Sequence, residues 1–81
     1  MVVFVELVGH QKDVAQSDKI RLTLSGEMSV RDALERLGQR YPSLPLDRDS
    51  LLITVNHEVA SLDKRLKPND VVCFLPHIGG G

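Results

Sequence analysis

The chain opens on a β-branched and aromatic run, residues 2–8, in which Val3, Val5 and Leu7 fall on one side and Val2, Phe4 and Glu6 on the other. Glu6 marks the second set as the outer face and leaves Phe4 a partly exposed aromatic. Residues 9–18 are polar and read as a turn-like connection. Lys19-Ile20-Arg21-Leu22-Thr23-Leu24-Ser25 alternates polar with aliphatic positions, the pattern of a half-buried strand. The two runs predict a hairpin with a long loop. Ser29 then opens a helix as N-cap, with Asp32 in the capping-box position. Val30, Ala33, Leu34 and Leu37 repeat at i, i+3, i+4 and i+7, an amphipathic stripe. Tyr41-Pro42 stops the helix, because a residue before proline avoids the α region.

Residues 42–50 form an irregular connector held by its leucines. Residues 51–55 predict a third strand and Asn56-His57-Glu58 a turn, with Val59 and Ala60 starting a short return strand. Leu62 and Leu66 plug the following loop. Pro68-Asn69-Asp70 is a second turn, and residues 71–75 are the last strand. The order is ββ, helix, β, short β, β. That is an α+β architecture, one main helix lying across one face of a mixed sheet. The crossover through the helix is long enough for the strand after it to run parallel to another.

Composition narrows the chemistry. Eighty-one residues make one domain, which buries only about 60–65% of its unfolded surface and has no room for a large catalytic cleft. Ten basic residues against eleven acidic give a net charge of -1. With no basic stripe and no RNA-binding aromatic motif, nucleic acid is not an expected partner. A single cysteine, Cys73, excludes an internal disulfide and a cysteine-only metal site. His10, His57 and His77 lack ligand-like spacing, so no metal is expected. Asp47, Asp49 and Glu58 form no acid–base pair, and neither a nucleophile motif nor a phosphate-binding glycine loop occurs. The chain is not expected to turn over a substrate unaided. Its first residues, Met-Val-Val-Phe-Val-Glu, carry no signal peptide or membrane span, which makes the cytoplasm the expected compartment.

The sequence ends on Gly79-Gly80-Gly81, directly after Val71-Val72-Cys73-Phe74-Leu75-Pro76. A glycine run has nothing to bury and loses the most backbone entropy if ordered. Its value lies in a bare carboxylate on a thin stalk that fits where a Cβ would clash. By itself such a run is equally a frayed terminus or a cloning scar. We divide the chain into a globular body, residues 1–75, and a flexible tail, residues 76–81. Pro76 lacks an amide donor and stiffens the exit. Fully extended, the tail reaches ~20 Å, at roughly 3.3–3.6 Å per residue.

Three stretches carry a family resemblance. Val55-Asn56-His57-Glu58-Val59 resembles the strand-turn "V-N-x-x-x" element of the MoaD/ThiS family of small sulfur-carrier proteins. Leu66-Lys67-Pro68-Asn69-Asp70-Val71-Val72 is similar to its "L-x-x-G-D-x-V" turn, with Asn69, the next best left-handed residue, for the usual glycine. Phe74-Leu75-Pro76-His77-Ile78-Gly79-Gly80-Gly81 resembles "F-x-P-P-V-x-G-G", with His77 for the second proline. The resemblance spans the chain and implies a β-grasp, ubiquitin-like fold. It also implies that an adenylating, MoeB/ThiF-type enzyme related to ubiquitin activators consumes ATP to activate the Gly81 carboxylate. Sulfur then replaces AMP, leaving a terminal thiocarboxylate. Gly80 and Gly79 would thread the partner's narrow channel, and the chain itself would bind no cofactor.

Such a carrier must be held by its body. The resemblance places the contact with the activating enzyme and the acceptor subunit on the outer sheet face, at Phe4, Val59 and Leu75, continued by Pro76, Ile78 and Gly79. Val71, Cys73 and Leu75 are expected to face outward on the last strand. Arg21, Lys64, Arg65 and Lys67 are candidates for a charged rim. The nearest type is the small subunit of molybdopterin synthase, whose larger, MoaE-type partner holds the pterin. Sulfur delivery to thiamin, cysteine or tRNA, a protein modifier joined through Gly81, and an inert β-grasp module are the alternatives. A β-grasp ferredoxin would need four cysteines and is excluded.

Overall fold

A computed structural model describes residues 1–44, 46 and 51–76 of the chain. Its elements run β1 (Val2–Glu6), α1 (His10–Ala15), β2 (Lys19–Thr23), α2 (Val30–Arg40), β3 (Leu51–Val55), β4 (Glu58–Val59) and β5 (Val71–Pro76). The strands form one sheet in the order β2-β1-β5-β3-β4. β1 pairs antiparallel with β2 and parallel with β5, and β3 pairs antiparallel with both β5 and β4. This is the expected α+β arrangement, with the last strand at the centre. The parallel pair is β1 with β5, however. β3 shares β2's direction but touches it nowhere, because β5 and β1 lie between them.

Alternation decides which side chains fill the core. Val3, Val5, Ile20, Leu22, Ile53, Val55, Val72 and Phe74 point to one face and are buried. The α2 stripe, Val30, Ala33, Leu34 and Leu37, closes over that face, and all four are buried as the spacing predicts. The helix begins where expected. Ser29 N–H donates to Asp32 Oδ2 at 2.9 Å, and Asp32 N–H donates to Ser29 Oγ at 3.4 Å, a reciprocal capping box. Leu44 is buried in the connector, Leu46 packs against the core beside it, and Leu66 and Leu62 plug the later loop.

The turn residues take the backbone their chemistry allows. Asn56 (φ 53°) and His57 (φ 69°) are both left-handed and make the two-residue hairpin between β3 and β4. The return strand begins at Glu58, one residue before the expected Val59. Asn69 (φ 70°) holds the left-handed position where the family pattern has glycine.

One expectation is overturned. Residues 9–18 are not merely a turn: His10–Ala15 is a short helix. Gly9 enters it at φ 51°, and Val14 and Ala15 lean on the core while Gln11 is buried beneath. Burial of that inward face outweighs the polar composition of the segment.

Candidate functional site

The face opposite α2 carries the other set of alternating residues. Phe4 is half-buried on β1, opposite Arg21 on β2 and Val71 on β5. Lys19 Nζ stands 5.7 Å from the centroid of the Phe4 ring, a cation over an aromatic face. Thr54 lies between Cys73 and Val59 on its two neighbouring strands, and Leu75 faces Leu52. Val59 is 74% exposed and Leu52 48% exposed, the two large apolar side chains most open to solvent among the described residues. The expected outward set is therefore placed as read. It forms a band from Phe4 through Val71, Cys73 and Leu75 to Leu52 and Val59. Phe4 and Val59 bracket it, three strand spacings or about 14 Å apart across the sheet and two residues apart along it. They belong to one face without touching.

Leu52 belongs to this band and was not anticipated. Leu51-Leu52-Ile53 is an unbroken apolar run, so alternation is invisible inside it. Only with Ile53 and Val55 fixed inward does Leu52 fall outward. The charged rim is smaller than expected. Arg21 is exposed on β2 beside Phe4. Lys64 lines a hollow with Val59, although its carbonyl accepts from Val30 N–H at 2.9 Å, whereas Arg65 bridges to Ser29 on the helix side. Lys67 sits in the turn leading into β5.

Cys73 points to the outer face but is 7% exposed. Burial pushes its thiol pKa up, and the carboxylate of Glu6, its partner across β1/β5, pushes it further. The thiol stays protonated near neutral pH and is a poor nucleophile. It acts as the small hydrophobe expected of it. Among the described residues no three His, Cys, Asp or Glu side chains converge as a metal site would require, and no helix is long and apolar enough to cross a membrane.

β5 delivers the chain to the end of the sheet. Pro76 is its last residue, one beyond the expected strand, and pairs with Leu51. His77, Ile78, Gly79, Gly80 and Gly81 lie outside the described residues. The start of β5 is tied by a polar knot. Asp70, 8% exposed, accepts from Lys67 N–H at 2.8 Å and from Asn56 Nδ2 at 2.9 Å. Asn56 Oδ1 accepts from Val71 N–H at 2.9 Å, and Asn56 N–H donates to the Val71 carbonyl at 2.7 Å. Asn56 and Asp70, polar members of two separate motifs, thus meet as one unit that sets the register of the central strand.

Comparison with known proteins accords with this geometry. The fold superposes on small archaeal modifier protein SAMP1 from Haloferax volcanii, with a TM-score of 0.83 and 25% identity over 100% of both chains. It also superposes on a Pyrococcus furiosus protein assigned as molybdopterin converting factor, subunit 1, with a TM-score of 0.83 and 27% identity over 96% of this chain and 99% of that one. Subunit 1 or 2 of the molybdopterin-converting factor complex from Helicobacter pylori matches at a TM-score of 0.68 and 23% identity over 100% of both chains, a likeness of fold alone. The architecture is the β-grasp of ubiquitin-like proteins. Because residues 5–81, nearly its whole length, match the family pattern, the chain belongs to the ThiS family.

Proposed function

We propose that this chain is a sulfur carrier whose Gly81 carboxylate is adenylated and converted to a thiocarboxylate, and that it donates that sulfur in molybdopterin biosynthesis. The observation that carries the reading is the family match through residue 81. The glycine run lies inside the family pattern, not beyond it. The Pyrococcus relative, assigned to molybdopterin conversion, favours that acceptor. A carboxylate is a poor electrophile. Attack of its oxygen on the α-phosphorus of ATP releases pyrophosphate and leaves an acyl-adenylate, and a sulfide-level donor then displaces AMP at the carbonyl carbon. ATP is the substrate of an adenylating, MoeB/ThiF-type partner, whose closed site excludes water from the reactive anhydride. The body supplies the docking surface, with Phe4, Val59 and Leu75 as its apolar contacts and Pro76, Ile78 and Gly79 leading into the partner. A larger, MoaE-type subunit would receive the carrier and contribute the catalytic groups. The Helicobacter complex of subunits 1 and 2 is a precedent for a chain of this fold assembling with a second subunit.

A second reading, a protein modifier joined to lysines through Gly81, is favoured by the full-length likeness to small archaeal modifier protein 1. Incubation with ATP, an adenylating partner and a sulfur donor, followed by intact mass, separates the two. A carrier gains the mass of sulfur exchanged for oxygen, and deletion of Gly81 abolishes the gain while the circular dichroism stays that of the parent. A modifier appears instead as an isopeptide on other proteins. Equal loading of the truncated chain refutes both readings.

A further inference from the structure

We propose that Gln11 is a positioning residue for the reactive end of the chain: its buried side-chain amide replaces a missing rung of the β1/β5 ladder and fixes the direction in which the chain leaves β5. The ladder itself indicates where the rung should be. In the parallel pair Phe4 faces Val71, and Phe4 N–H donates to the carbonyl one residue earlier, Asp70, at 2.9 Å. The pattern repeats every second residue. The next donors along that edge of β1 are Glu6 and then Val8, and the acceptor due to Val8 is the Phe74 carbonyl. No such bond forms, since β1/β5 pairing ends at Glu6 with Cys73 and the chain turns into α1 at Gly9.

The Gln11 amide occupies the gap. Its Oε1 accepts from Val8 N–H at 3.2 Å, and its Nε2 donates to the Phe74 carbonyl at 2.9 Å. The orientation is fixed by chemistry, because a backbone N–H can only donate and a carbonyl only accept. Gln11 is 2% exposed, so neither bond is readily exchanged for water. One peptide-like unit is spliced between the strands where they diverge. Beyond Cys73, β5 pairs on one side with β3, where Ile53, Leu52 and Leu51 stand opposite it, and on the other side, among the described residues, it is bonded to Gln11. Without the amide the distal segment of β5 would answer to β3 alone and swing with that strand's twist. Phe74 stands two residues before Pro76, so a change of angle there is carried into Leu75 and Pro76, where the strand ends.

The consequence for activation rests on the reading of the chain as a carrier, and the test keeps the two apart. Gln11→Met keeps the length and apolar volume but can bridge nothing. In the free, full-length chain, amide residual dipolar couplings of Phe74 and Leu75 should change in this variant while those of α2 and β2 stay as in the parent. In steady-state loading by an adenylating enzyme, kcat should fall by about ten- to a hundredfold, as misplacement of a reacting group by an ångström allows. KM should move less than twofold, because the outer face is untouched. A role in stability alone would lower the unfolding midpoint yet leave couplings and kcat at parental values, and that result overturns the proposal. If the parent is not loaded at all, the carrier reading fails and the couplings alone decide the role of Gln11. If Gln11→Met does not fold, exchange of the Gln11 side-chain NH2 protons is measured in the parent. Protection comparable to core amides upholds the spliced rung, and solvent-like exchange refutes it.

Discussion

The two ends of β5 are built on opposite principles. At its start, Asp70 and Asn56 collect two backbone donors and one backbone acceptor into a nearly closed knot, and the Asp70 carbonyl takes the Phe4 amide besides. At its far end one glutamine amide spans the gap to β1, and the outward side chain, Leu75, lies against Leu52 instead of another polar group. The start is over-determined and sets the register of the whole sheet. The end is held just firmly enough to point, and what it presents outward is apolar surface. Stability is concentrated where the strand begins, and the means of meeting a partner where it leaves.

The largest effect is expected at the start. Asp70→Ala removes a buried carboxylate and with it the charge-assisted bonds from Lys67 N–H and Asn56 Nδ2, a loss of about 3 kcal/mol. For a domain whose total stability is of order 5–15 kcal/mol this is a large fraction. Asp70→Asn keeps the shape but turns a donor toward one of those donors, and should recover little. Gln11→Met removes two neutral hydrogen bonds and leaves the Val8 N–H and the Phe74 carbonyl without that partner, and should cost about 2 kcal/mol. Urea unfolding of the variants ranks them. A Gln11 loss as large as the Asp70 loss would remove the asymmetry between the two ends.

A second substitution tests what the far end is for. Leu75→Glu places a charge in the middle of the outer apolar band, opposite Leu52. As a half-buried, outward position it should cost about 1 kcal/mol or less. Loading by an adenylating partner should fall at least about tenfold through KM, because the charge must be desolvated on docking. This is the mirror image of the Gln11 variant, where kcat moves and KM does not. An unchanged KM would take Leu75 out of the docking surface.

The asymmetry also explains what could be read from the residues alone. The outer face was legible because one charged side chain, Glu6, breaks the apolar run of β1 and assigns Phe4 with it. The start of β5 was legible as turns, since asparagine and aspartate mark left-handed and hydrogen-bonded backbone, but not as one knot, because Asn56 and Asp70 meet only when β3 and β5 pair. The far end was not legible. Gln11, Val14 and Ala15 do stand at i, i+3 and i+4, but the stripe opens on a polar residue inside His-Gln-Lys-Asp, and a hydrophobic pattern cannot flag a buried amide. Leu52 was hidden for the converse reason: the run Leu51-Leu52-Ile53 is all apolar, and Thr54, the one polar residue of β3, is β-branched and suits either face.

The smallest expected effect isolates burial as the reason the start of β5 matters so much. Asp32 makes the same kind of bonds as Asp70, accepting from the Ser29 backbone amide at 2.9 Å and from Ser29 Oγ at 3.0 Å, but in a half-buried first turn of α2 and not a closed knot. Those bonds, the backbone one foremost, hold its carboxyl pKa below the ordinary 3.8, with Arg65 and Arg31 adding to the effect and burial opposing it. The sign follows from proton counting. With the folded pKa depressed, the unfolded chain takes up a proton first as the pH drops, so Asp32's contribution is complete above 3.8 and is lost as the pH falls through the lower folded value. Urea midpoints of the parent and of Asp32→Asn, measured from neutral pH down past 3.8, should differ slightly at the top of the range and converge at the bottom. A constant gap would mean the carboxylate charge contributes nothing. A gap rivalling that of Asp70→Ala would mean that the bonds themselves, and not the burial of the carboxylate that accepts them, set the cost of breaking them.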